Sequence, residues 1–114
     1  MEKSQIQLLV EIILDPNAQD HEKDDAAIDL ADSNDNQALE ALIKISQSPS
    51  ENDIFALPNY GEAIATIWLK RNFFNLNIYL SLKGPVRSGI CAVLENRKPE
   101  WIDKYELIKY GFKD

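Results

Sequence analysis

The segment "HEKDD", residues 21–25, contains the residue types that a metal-dependent hydrolase would use. His21, Glu22 and Asp25 form the pattern H-E-x-x-D, which has one histidine fewer than the zinc-binding pattern H-E-x-x-H. A zinc ion at this position would need a third protein ligand, and the chain has no other histidine. We therefore interpret these residues as a solvated, acid-rich helix start and predict no metal site.

A second candidate cation site lies in "DSNDN", residues 32–36. Asp32, Asn34 and Asn36 take the first, third and fifth positions of a calcium-binding loop. The sixth position of such a loop requires glycine and the twelfth requires glutamate, but the chain has Gln37 and Ile43 there. The match fails, so we interpret these residues as a turn and a helix cap.

The sequence gives little support for catalysis or nucleic-acid binding. Cys91 lies in an apolar helical pattern, which predicts a core position. The four glycines are scattered and form no phosphate-binding loop. Bases alternate with aromatic residues in "KRNFF" and "RKPEWIDKY", as in single-strand binders, but the aromatic residues have core spacing and the net charge of −7 opposes phosphates. We predict a non-enzyme that needs no cofactor and binds no nucleic acid.

Charge is distributed unevenly along the chain. Residues 1–57 contain 13 acidic side chains against three lysines, whereas residues 58–114 contain six acids and nine bases. An acidic half attracts basic surfaces. The 114 residues fit a single domain, 1–114, and the single cysteine fits a reducing, cytoplasmic location. No run approaches the roughly 18 apolar residues of a membrane span, and the N-terminal apolar run lacks the leader and cleavage site of a signal peptide.

Apolar residues recur at helical spacing along most of the chain, which predicts an all-α fold. Helices are expected at about 4–14 and 21–32, and a third helix is expected after the polar run "DSNDN". A long loop at 47–58 separates this helix from a fourth. Two more helices are expected, one that begins at Gly84 and one that runs from Pro99 to Gly111. Segment 74–82 alternates apolar and polar residues as a strand does, yet it also has a helical stripe. We predict a helix there, with a small hairpin to residues 54–57 as the alternative.

The helical segments also show a degenerate internal repeat. A shift of 37 residues places Ala26 on Ala63 and Leu30 on Ile67, and a further shift of 26 places Ile67 on Val93. Three helical hairpins behind one N-terminal capping helix would form a short α-solenoid. The pattern A-A-x-x-L-A of residues 26–31, a polar turn, and A-L-x-x-L of residues 38–42 resembles a HEAT-like repeat. This resemblance implies a curved helical stack that binds macromolecules.

In size, acidity and architecture the chain resembles the small immunity proteins that bacteria produce with toxins, including those of contact-dependent growth inhibition. The resemblance implies a tight, stoichiometric inhibitor of a cognate toxin, and the negative charge favours a basic nuclease as that toxin. Helical spacing puts Asp25, Asp29 and Asp32 on one face, with Asn34 and Asp35 at the adjoining turn. We predict that these five residues contact the partner. A HEAT-like scaffold or adaptor that binds a cellular protein or peptide is the alternative.

Overall fold

The computed structural model describes residues 3–113, and its regular structure is entirely helical. Seven α-helices follow one another: α1 (Gln5–Leu14), α2 (Asp20–Ala31), α3 (Asn36–Gln47), α4 (Leu57–Arg71), α5 (Leu76–Ser81), α6 (Gly84–Arg97) and α7 (Pro99–Lys104). Two 3-10 helices lie at Glu51–Ala56 and Leu107–Tyr110. No strand occurs among the described residues, so the predicted all-α class is confirmed. Glu2, one of the acids counted in the first half of the chain, lies outside these residues.

Short polar motifs set the helix starts. Ser4 and Gln7 form a capping box before α1: the Gln7 N–H donates to Ser4 Oγ (3.1 Å) and the Ser4 N–H donates to Gln7 Oε1 (2.9 Å). Asp35 caps α3 and Asn75 caps α5 by accepting from backbone N–H groups. A proline lies in the first turn of each of α4, α6 and α7, where its missing N–H costs nothing.

The central element of the core is α4, which packs against α2 and α3 on one side and α6 on the other. Gly61 and Gly89 allow the close approach of α4 and α6. A Cβ atom on Gly61 would overlap the carbonyl oxygen of Val86, and one on Gly89 would overlap the carbonyl oxygen of Pro58. Both glycines are therefore required by packing between helices and not by a turn.

The connections α2–α3 and α4–α5 have the same length, although Asp32 has a right-handed helical conformation and Asn72 a left-handed one (φ 51°). Asp32 and Asn72 end the first helix of each pair, and Asp35 and Asn75 cap the second. These pairs are forty residues apart, whereas the predicted alignment used 37. The 37-residue shift pairs buried residues of α2 with buried residues of α4, Ala26 with Ala63 and Leu30 with Ile67. The HEAT-like resemblance stays a prediction.

Three segments differ from expectation. The predicted loop at 47–58 contains the 3-10 helix Glu51–Ala56, and α4 already begins at Leu57 because Pro58 fits a first helical turn. Segment 74–82 is helical only from Leu76 to Ser81. The helix predicted from Pro99 to Gly111 ends at Lys104, because Glu106 adopts a left-handed backbone conformation (φ 53°).

Candidate protein-binding surface

The outer face of α2 carries the acidic residues that the sequence singled out. Asp25 and Asp29 are exposed, one helical turn apart, and Asp32 follows at the C-cap position, also exposed. None of the three forms an ion pair with any other residue between 3 and 113. Three neighbouring carboxylates thus face solvent, and no cation of the described part of the chain pairs with them.

The other two predicted residues lie at the turn after α2 and are engaged within the chain. Asp35 caps α3, since its Oδ1 accepts from the Gln37 N–H at 2.8 Å. Asn34 is exposed, and its carbonyl oxygen accepts from Arg71 Nη2 at 3.4 Å. Lys70 Nζ donates to the carbonyl oxygen of Ala31 at 2.6 Å. Because these α4 cations lie at the C-terminal end of α2, they neutralise its helix dipole and offset the acids near the turn. The uncompensated charge is therefore centred on Asp25 and Asp29.

A groove of about 240 Å³ adjoins this face between α2 and α4. The residues that line it combine apolar, acidic and neutral polar side chains: Ile28, Ala31, Asp32, Asn59, Glu62, Ala63 and Thr66. Ile28 lies between the acids on α2 and is 60 % exposed. A second groove, between α4 and α6, shares Glu62 and Thr66 with the first. The α2 acids therefore border an apolar surface on which a partner could pack.

A fully buried ion pair lies behind the acidic face. Lys23 Nζ donates to Asp53 Oδ1 at 2.7 Å and to the carbonyl oxygen of Ile13 at 2.9 Å. Tyr60 Oη donates to the same carboxylate oxygen at 2.6 Å, and the Ser50 N–H and Oγ both donate to Asp53 Oδ2. The network ties α1, α2, the 3-10 helix Glu51–Ala56 and α4 together.

The hydrogen bonds of this network decide the charge state of its members. Burial alone would raise the pKa of Asp53, but donors on Lys23, Tyr60 and Ser50 outweigh burial and hold that pKa below its ordinary value of 3.8. Burial raises the pKa of Tyr60 far above 10, and its hydrogen bond to Asp53 raises it further. The carboxylate is therefore ionised at neutral pH and Tyr60 remains a neutral donor.

Sequence reasoning missed this pair, although one signal could have revealed it. Lys23 is the only lysine or arginine between positions 4 and 43. It lies three residues before Ala26 and seven before Leu30, which places it on the buried stripe of α2. A lone lysine on an apolar stripe predicts a buried acidic partner. The identity of that partner, thirty residues away, does not follow from helical spacing.

The residues tested for chemistry do not converge. His21 is exposed, and Asp20, 4.0 Å away, is its neighbour in sequence. Over residues 3–113 no three of the side chains His, Cys, Asp and Glu come together as a metal site would require. Cys91 is 3 % exposed, which confirms its predicted core position. Burial raises its pKa, although a hydrogen bond with Tyr79 Oη (3.3 Å) acts in the opposite direction. A buried thiol with a raised pKa is a poor nucleophile.

No protein-family model, curated protein or solved structure is significantly similar to this chain. Within the part of the chain that the structure describes, no helix has the length and apolar character needed to cross a membrane.

Proposed function

We propose that this chain is a non-catalytic binding protein that neutralises a cognate protein toxin, and that the outer face of α2 contacts a positively charged surface on that toxin. The observation that carries the proposal is the row Asp25, Asp29 and Asp32, which is exposed and has no ion-pair partner among residues 3–113. Like charges at this spacing destabilise the free helix by a few tenths of a kcal/mol per pair. A basic partner would remove that repulsion and associate faster through electrostatic steering.

A basic nuclease is the toxin class that suits this surface best. Its substrate cleft must be positive to bind phosphates, and a protein with carboxylates on a rigid helix can occupy such a cleft. The carboxylates lie on a regular α-helix, so their spacing is set before binding and little conformational entropy is lost on association. The single, buried Cys91 suits action in the reducing cytoplasm of the producing cell.

Affinity measurements with charge-reversed variants test this proposal. The probe is the C-terminal region of the polypeptide encoded immediately upstream, and the variant is Asp25→Lys with Asp29→Lys. We expect the variant to bind at least about ten-fold more weakly at low salt, chiefly through slower association, and the difference to shrink as salt rises.

A matched control reverses Glu95 and Asp103, which are exposed on α6 and α7, helices without substantial contact to α2. This control changes the net charge by the same amount, so it should retain near-normal affinity. Equal losses in both variants would indicate a general charge effect. An unchanged affinity in the Asp25/Asp29 variant would mean that the partner binds a face other than the outer face of α2.

A scaffold that holds a peptide is the second candidate, favoured by the two adjoining grooves on either side of Glu62 and Thr66. The two candidates differ in affinity and in partner number. A toxin inhibitor binds one partner with nanomolar or tighter affinity, whereas an adaptor binds several partners more weakly.

A further inference from the structure

The 3-10 helix Glu51–Ala56 exposes two adjacent apolar side chains. Ile54 is 56 % exposed and Phe55 is 79 % exposed, the largest exposed fraction of any large apolar side chain among residues 3–113. Scattered surface leucines and isoleucines are ordinary, but a nearly free phenylalanine beside an isoleucine is a concentrated apolar contact. Aromatic side chains of this kind dominate the energetics of protein interfaces.

The chain on both sides of this pair is fixed. Asp53 is fully buried and accepts the hydrogen bonds of the network described above. Ala56 and Leu57, which follow the pair, are 0 % and 5 % exposed. The backbone on both sides of Ile54 and Phe55 is therefore anchored in the core, while the two side chains face outward. The apolar pair is held in a preorganised position, so binding through it would cost little conformational entropy.

The apolar pair is joined to the groove between α2 and α4 through the start of α4. The 3-10 helix continues directly into α4, and Phe55 lies four residues before Asn59, the first α4 residue of the groove. Asn59, Glu62 and Thr66 line that groove. Asn59 also donates to Asp24 Oδ1 of α2 at 2.9 Å. The apolar pair thus precedes the N-terminal end of the helix that supplies one wall of the acidic α2 groove.

The charge around Ile54 and Phe55 indicates which kind of surface can bind to them. From residue 45 to 69 the chain has no lysine or arginine, and Glu51 and Glu62 are exposed there. Lys23, the cation of the buried network, is fully buried and paired with Asp53. A second copy of this chain that paired through the same face would bring acids against acids, and an anionic lipid surface would be repelled in the same way. Charge complementarity therefore requires a basic protein surface.

We infer that Ile54 and Phe55 are the apolar anchor of the interface and insert into an apolar pocket, rimmed by lysine and arginine, on the basic partner. This inference rests on the proposed function and divides the interface into two parts. The α2 acids accelerate association, and the anchor slows dissociation, because apolar contacts that form only in the docked complex act mainly on the dissociation rate.

Binding kinetics with the upstream-encoded polypeptide test the inference. The variant Ile54→Ser with Phe55→Ser should dissociate about thirty-fold faster or more, the size of a hot-spot loss, with an association rate close to that of the wild-type chain. The matched control is Phe73→Ser with Leu80→Ser, which removes two exposed apolar side chains at or beyond the far end of α4. The control should retain the wild-type dissociation rate.

Each outcome separates the inference from the proposed function. Binding by the wild-type chain with an unchanged dissociation rate in the Ile54/Phe55 variant contradicts the inference and leaves the proposed function intact. No binding by the wild-type chain contradicts both. Wild-type self-association or anionic-vesicle binding that the variant loses would identify a different occupant and also contradict the inference. If the double variant melts at a lower temperature than the wild-type chain, the single variant Phe55→Lys, which opposes a basic pocket by charge, replaces it in the same assay.

Discussion

Replacement of Asp53 by asparagine should destabilise the fold more than any exposed substitution. The side chain keeps its size but loses its charge, so Lys23 remains buried beside the carbonyl oxygen of Ile13 without its counter-ion. Removing one partner of a buried ion pair costs about 3–5 kcal/mol. In a domain of this size each kcal/mol corresponds to a shift of about 4 °C in Tm, so we expect a decrease of about 12–20 °C.

Urea unfolding followed by circular dichroism and tryptophan fluorescence measures this loss. Lys23→Met is expected to cost less than Asp53→Asn, because the carboxylate keeps its donors on Ser50 and Tyr60. The double variant should be more stable than the sum of the single losses indicates, since neither charge is then left unpaired. Losses below about 1 kcal/mol for both single variants, or strictly additive losses, would refute the assignment of a buried, ionised pair.

The pH dependence provides an independent readout of the same group. The folded pKa of Asp53 lies below 3.8, so its ionisation stabilises the fold above the unfolded pKa, and this contribution is lost as pH falls through the folded pKa. In the variant Asp53→Asn, the free energy of unfolding should lack this part of its decrease at acid pH. The matched control is Glu106→Gln, which breaks the exposed pair with Lys109 and should leave the urea midpoint unchanged.

Three further expectations concern the core and the helix caps. Gly61→Ala and Gly89→Ala should each lower the free energy of unfolding by about 1–3 kcal/mol or more, because the new Cβ overlaps a carbonyl oxygen of the facing helix. Alanine is the better helix former, so a rise in this free energy on urea titration would contradict the expectation. Burial raises the pKa values of Tyr60 and Tyr79 above 10, so both tyrosines contribute their full stabilisation below pH 10. Above pH 10 the free energy of unfolding should fall by about 1.4 kcal/mol per pH unit for each tyrosine, which equilibrium unfolding at alkaline pH would measure. Asp35→Ala should lower the free energy of unfolding by about 1 kcal/mol because α3 loses its cap. Asp35→Asn keeps the cap and removes only the charge, so thermal melts of the two variants separate the contribution of the cap from that of the charge.

Local patterns were sufficient for most of the secondary structure. The Ser4 capping box and the prolines of α6 and α7 predicted three helix starts correctly, because these signals act within a single turn. The break at Glu106 carried no such signal, since glutamate rarely adopts a positive φ. The short α5 also competed with a strand-like alternation that only tertiary packing could resolve.

The candidate surface was predictable only in part. The exposed row Asp25, Asp29 and Asp32 followed from helical spacing, because one helix supplies all three side chains. The engagement of Asn34 by an α4 cation did not follow, since it depends on how two helices far apart in sequence pack. The exposure of Phe55 was equally hidden, because an apolar residue in a loop normally predicts a buried anchor.

The central claim is that this chain neutralises a toxin, and growth measurements test it most directly. Cells would express the C-terminal region of the upstream-encoded polypeptide alone, with the wild-type chain, or with the variant Asp25→Lys with Asp29→Lys. Toxicity that the wild-type chain abolishes and the variant relieves less well, with a one-to-one complex on co-purification, is the expected result. Toxicity that the wild-type chain leaves unchanged, or an upstream product that is harmless, would contradict the claim.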